Sequence, residues 1–118
     1  MNEFAETNDG YGYLIECVQH LPALFASVVP WLGGAQHKEL TRKYRYRADW
    51  VFIVKDRGAG SVTIDENGQS TFWYPFTDEL DRRHFREAAV TSIRLHEAAG
   101  AHQIFLAGQP FAPWNRGE

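Results

Sequence analysis

The stretch "LTRKYRYRADWVFIV", residues 40–54, decides how the rest of the chain is read. Its even positions, Leu40, Arg42, Tyr44, Tyr46, Ala48, Trp50, Phe52 and Val54, are mostly apolar. Its odd positions, Thr41, Lys43, Arg45, Arg47 and Asp49, are polar and mostly charged, until Val51 and Ile53. A period of two is the signature of a strand with one dry and one wet face. The pattern predicts one long strand from Leu40, with Tyr44, Tyr46 and Trp50 on the core side. Lys43, Arg45 and Arg47 then form a basic ridge on the other side, at steps of about 7 Å. Val51 and Ile53 predict burial on both faces near the centre of a sheet.

Downstream, "DRGAG" (residues 56–60) supplies a turn, Ser61 to Asp65 a short strand, "DENG" a hairpin connection and Gln69 to Phe76 a third strand. Together these predict a three-stranded antiparallel meander. In "PFTDELDRRHFREAAVTSIRLHEAAG" (residues 75–100), Thr77 or Asp78 can cap a helix, and Gly100 offers its left-handed exit. At 100° per residue, Phe85, Ala88, Ala89, Ser92, Ile93, Leu95, His96 and Ala99 fall on its inward side. Gln103 to Ala107 reads as a short final strand, and Phe111 and Trp114 anchor a trailing coil.

Upstream, Leu14, Cys17, Val18, Leu21, Leu24, Phe25 and Val28 recur at helical steps, with a break near Pro22, which opens a second helical piece ending by Gly33 and Gly34. Tyr11, Tyr13, Ile15 and Cys17 also alternate, so a strand over 11–18 is the competing reading. The expected fold class is α+β: an N-terminal helical segment, the meander, a long helix packed on it and the final strand. Residues 1–9 are expected to be a flexible N-terminus, 10–108 one domain and 109–118 a C-terminal coil.

With 118 residues and 44% hydrophobic content, the chain can bury a core without staples. A net charge of −3 argues against a protein whose main task is to wrap phosphate backbones. The single cysteine, Cys17, excludes an intrachain disulfide and fits a reducing compartment. "MNEFAETNDG" does not read as a secretory signal, and "LPALFASVVPWLGG" is too short to span a bilayer, so a cytoplasmic protein without membrane contact is expected.

Five histidines, His20, His37, His84, His96 and His102, raise metal and acid–base chemistry. In "HEAAGAH" the two histidines are six apart with Gly100 between them, which does not put both on one helical face, and no metal or cofactor is expected. His96 follows Ser92 by one turn, which makes these two the candidate catalytic pair; the competing reading is a core histidine satisfied by Ser92 and backbone. Cys17 with His20 is a weaker nucleophile pair, because its apolar neighbours favour an inert buried thiol. Asp65, Glu66, Asp78 and Glu79 are accounted for by a hairpin and a helix cap.

The function expected on this footing is a small non-enzymatic protein-binding module, of the inhibitor, immunity-protein, chaperone or regulatory-subunit kind. Its binding residues are Lys43, Arg45, Arg47, Trp73, Arg82 and Arg86, and its partner is an acidic protein surface or a second copy. The alternative is a small-molecule binding domain or enzyme, with a pocket of Tyr44, Tyr46, Trp50, Phe72 and Tyr74 and His96 as its polar group. A third reading, a nucleic-acid-binding regulator using the strip from Arg42 to Arg47, is disfavoured because the tyrosines point away from the charges.

Overall fold

The computed structural model describes residues 4–6, 10–19, 21–29, 31–106 and 114–115. The chain is α+β. In order it forms β1 (Phe4–Glu6), β2 (Gly12–Val18), α1 (Pro22–Val28), α2 (Gly34–Arg42), a 3-10 turn at Tyr44–Tyr46 and β3 (Asp49–Val54). Next come β4 (Ser61–Ile64), β5 (Ser70–Trp73), α3 (Glu79–Ala98), β6 (Gln103–Ile104) and β7 (Trp114–Asn115).

The long strand expected from Leu40 is corrected: only its second half, Asp49–Val54, is extended. Leu40 and Tyr44 satisfy a helical step of four as well as a strand's step of two, and the tertiary contacts select the helix. Leu40 is buried with Phe25 and Val29, and Tyr44 packs against that cluster with its ring 5.4 Å from Phe25. Local chemistry agrees, since Glu39 pairs with Arg42 at 3.1 Å and with Lys43 at 3.4 Å, the spacing that supports a helix. Tyr44 and Lys43 therefore do not lie on opposite faces of a sheet, and the basic ridge does not form.

β2 shows that the alternating reading of 11–18 was the correct one and the helical reading was not. It pairs antiparallel with β3, Tyr13 opposite Val54, Ile15 opposite Phe52 and Cys17 opposite Trp50, and β1 joins its other edge. Pro22 opens α1, as its fixed φ and missing amide favour. α3 covers one face of this sheet: Phe85 meets Phe52 edge to face at 5.0 Å, and the Tyr13 hydroxyl is 2.9 Å from Thr91 Oγ1. The opposite face has no such cover among the described residues. Val51 and Ile53, expected to be buried, are exposed there.

α3 starts where the sequence places it. Asp78 Oδ1 accepts from the amides of Leu80 (2.9 Å) and Asp81 (3.3 Å), and Gly100 exits with φ +86°. Its buried stripe is Asp81, His84, Ala88 and Ser92, which replaces the expected stripe in part: Phe85 and Leu95 are exposed.

The three-stranded meander is also corrected. β3 and β4 do not pair; β4 and β5 form a separate two-stranded hairpin, shorter than expected at β5. The final strand is likewise shorter, Gln103–Ile104 paired with β7, and the Ala107 end of the predicted strand and Phe111 lie outside the described residues.

The buried apolar set among the described residues is small: Phe25, Val29, Leu40, Ala88 and Ile104. The accessible surface is 9173 Å², against about 6,500 Å² for a self-contained protein of this mass. The radius of gyration is 16.8 Å, against about 13.5 Å for a compact chain of this length. Both values exceed those of a compact chain of this size.

Candidate functional site

The densest polar constellation joins the loop Asp56–Gly60 to the start of α3. Asp81, one turn into the helix and 1% exposed, accepts the amide of Arg57 at 2.8 Å on Oδ1 and that of Gly58 at 2.8 Å on Oδ2. One carboxylate thus takes up two successive loop amides, which only a close backbone approach permits. A Cβ on Gly58 would sit 2.9 Å from Asp81 Oδ2, and one on Gly60 would overlap the Trp73 carbonyl oxygen. Arg57 closes the arrangement from outside: Nε donates to Asp78 Oδ2 at 2.9 Å and a terminal nitrogen to Oδ1 at 3.1 Å. Asp78 caps α3 and clamps the loop at once.

Tyr74 completes the constellation. Its hydroxyl donates to Asp56 Oδ2 at 3.0 Å and lies 3.5 Å from Asp81 Oδ2. The side chain is exposed, and desolvation followed by the Asp56 carboxylate pushes its pKa up to about 12. Hydrogen bonds from Arg57 hold Asp78 below its ordinary carboxylate value, against a desolvation that raises it, with the amides of Asp81 and Leu80 assisting. Arg57 is raised in turn by Asp78. These mutual hydrogen bonds make the constellation a latch that fixes the hairpin to α3.

Aromatic rings back the latch. Phe76, at φ +49°, a backbone conformation unusual for a bulky residue, stands 5.3 Å from Phe85 and 6.0 Å from Tyr74. With Phe52 this makes a ladder of rings from β3 across α3 to the end of β5.

The residues proposed from sequence are dispersed. Lys43 is engaged by Glu39, Arg45 is exposed on the 3-10 turn, and Arg82 pairs with Glu79 at 3.3 Å. Arg47 is turned inward: its guanidinium lies 4.1 Å from the Phe25 ring centroid and 3.6 Å from Asp49. Burial lowers its pKa from the ordinary value, and Asp49 opposes that. Arg86 lines a shallow cleft of about 250 Å³ with Tyr13, Glu87, Val90, Thr91 and Arg94. Trp73 is exposed on β5.

Nor do the six pocket residues converge on one pocket, although two of them, Trp50 and His96, touch. Tyr44 belongs to the α1–α2 cluster, Tyr46 is exposed, Phe72 and Tyr74 belong to the hairpin and its exit, and Trp50 stacks with His96 at 4.2 Å. His96 Nδ1 is 2.8 Å from the Ser92 carbonyl oxygen and Nε2 is 3.1 Å from that of Ala48. The ring thus bridges α3 to the segment before β3 and contacts the backbone of Ser92, not its hydroxyl. Cys17, expected to be buried, is exposed, and His20 lies outside the described residues. No three His, Cys, Asp or Glu side chains among the described residues are arranged to hold a metal ion. No helix among the described residues is long and apolar enough to cross a membrane.

Sequence reasoning named Tyr74 only as a pocket residue and missed its pairing with Asp56 and Asp81, the anchoring role of Asp81 and the role of the two glycines. A signal was present: Gly58 and Gly60 are two apart in a loop between strands, and Asp78 and Asp81 are three apart at a helix start. Each pair alone reads as a turn or a cap.

No protein-family model matches the chain, and no solved structure does. Three curated proteins of Arabidopsis thaliana are similar to it. It is 31% identical to long-chain-alcohol oxidase FAO3 over 91 residues, 77% of this chain and 12% of that protein. It is 29% identical to long-chain-alcohol oxidase FAO4B over 99 residues, 84% and 13% respectively. With long-chain-alcohol oxidase FAO1 the identity is 30% over 83 residues, 70% and 10%. The chain spans about an eighth of the length of these relatives or less. A match of 83 residues in a chain of 118 necessarily takes in residues 36–83, hence the latch and the whole hairpin. These likenesses correct the expectation of a non-enzymatic binding module: the chain resembles part of an enzyme.

Proposed function

We propose that this chain is a segment of an oxidase acting on long-chain alcohols, and that within it the segment supplies apolar surface and rigid positioning. The observation that carries the reading is the run of likeness to three long-chain-alcohol oxidases across the latch and hairpin. The geometry supports the division of labour. Removing two electrons from an alcohol needs a redox group, because protein side chains do not carry that chemistry. The polar groups of the latch are committed to one another, whereas aliphatic and aromatic side chains are displayed outward. A long alkyl chain calls for that kind of surface.

The test is a chimera in which this chain replaces the matching segment of FAO3. Oxygen consumption dependent on hexadecan-1-ol is expected to persist, with a weaker response to a short alcohol. A folded chimera with no hexadecan-1-ol oxidation overturns the reading.

A further inference from the structure

β3 is an edge of its sheet. The order is β1-β2-β3, and no described strand pairs with the outer side of Asp49–Val54. The Lys55 amide donates to the Gly12 carbonyl at 2.9 Å, so by the period of two Asp49, Val51 and Ile53 turn their main-chain groups to β2. Trp50, Phe52 and Val54 turn theirs outward, where no described residue takes them up. Native edge strands are commonly guarded by a charge, a proline or a bulge. Trp50 to Val54 carries no charge and no proline, and its pairing with β2 runs without a bulge. On the face away from α3, Val51 and Ile53 are 42% and 53% exposed.

The sequence of this edge, "DWVFIVK" (residues 49–55), is complementary to its own reverse. When two copies lie antiparallel about a two-fold axis at Phe52, Phe52 meets itself, Trp50 meets Val54, Val51 meets Ile53 and Asp49 meets Lys55. The residues with outward main-chain groups then face one another, and each such pair exchanges both of its hydrogen bonds. Apolar meets apolar along the strand, and opposite charges meet at both ends. Moving the axis to Val51 opposes Asp49 to Ile53, and moving it to Ile53 opposes Val51 to Lys55. We infer that β3 is a self-association edge, which joins a second copy of this chain in the Phe52-centred register to make one continuous sheet. Asp49 lies 3.6 Å from Arg47, and Lys55 Nζ donates to the Gly10 carbonyl at 3.0 Å. The end charges therefore select the register, while the main-chain bonds and the Val51–Ile53 contacts supply the affinity. Every contact occurs twice, as an isologous interface requires. The inference does not rest on the oxidase reading, because association is measured without an alcohol.

Sedimentation velocity of the 118-residue chain from about 1 μM to about 1 mM should show a reversible monomer–dimer equilibrium, since a contact one strand wide is small. Two double variants read the register. Val51→Lys with Ile53→Lys sets like charges opposite each other across the two-fold axis and should weaken the dimer at least about tenfold. Val51→Lys with Ile53→Glu also places two charges on the strand but sets Lys opposite Glu, and should associate at least about tenfold more tightly than the first variant. A parent chain that is monomeric throughout overturns the inference. So does a dimer that the first variant leaves intact, because it would form through another surface. Equal weakening by both variants overturns the strand pairing, since it would report lost apolar surface alone. A variant that no longer melts cooperatively would show that Val51 and Ile53 serve the chain's own fold, which also overturns the inference.

Discussion

Tyr74 carries a pH dependence whose sign follows from its neighbours. With its hydroxyl donating to Asp56 and desolvated near Asp81, the folded pKa is about 12, above the ordinary 10.0. A group raised on folding contributes stability that is complete below the unfolded value and is lost as pH rises through the folded one. Thermal stability should therefore fall between about pH 10 and about pH 12, and tyrosinate absorbance should include a component near 12. Tyr74→Phe should remove that component. A titration unchanged by the substitution would mean the hydroxyl is not held as described. The residue was visible in "FWYPF" as an aromatic, but its partners Asp56 and Asp81 are eighteen and seven positions away. Nothing local in the sequence pairs them.

At the scale of elements, the latch depends on a loop that can lie against α3 and β5. Gly60 has no room for a side chain, since a Cβ would overlap the Trp73 carbonyl oxygen and stand 3.0 Å from the Tyr74 ring. Gly60→Ala should destabilise the chain by about 2 kcal/mol or more in urea unfolding. Gly34→Ala, in α2 with nothing within 4 Å of the added carbon, should be neutral or slightly stabilising. Equal effects would place the loop away from β5. Of the elements, α3 was legible because Asp78 and Gly100 mark its ends by chemistry that acts within a few residues. α2 was not, because Leu40, Tyr44 and the charges between them fit a period of two and a helical step equally well.

For the whole molecule, a surface of 9173 Å² means that folding removes less area from water than is usual at this mass. The urea m value scales with that area, so the isolated chain should unfold with an m of about 1 kcal/mol/M or less. A value near 2 kcal/mol/M would show a more compact native state. The sequence by itself determined the elements whose signals are short-range: the cap and exit of α3, the Asp65 turn, the Pro22 start of α1 and the α+β class. Tertiary structure alone decided which apolar faces are covered. Trp50 and Phe52 meet α3, whereas Val51, Ile53, Val62, Ile64 and Phe72 are left exposed. Periodicity records that a face is apolar, but burial depends on what else arrives there, and the hydrophobic effect carries no direction in the chain that would announce it.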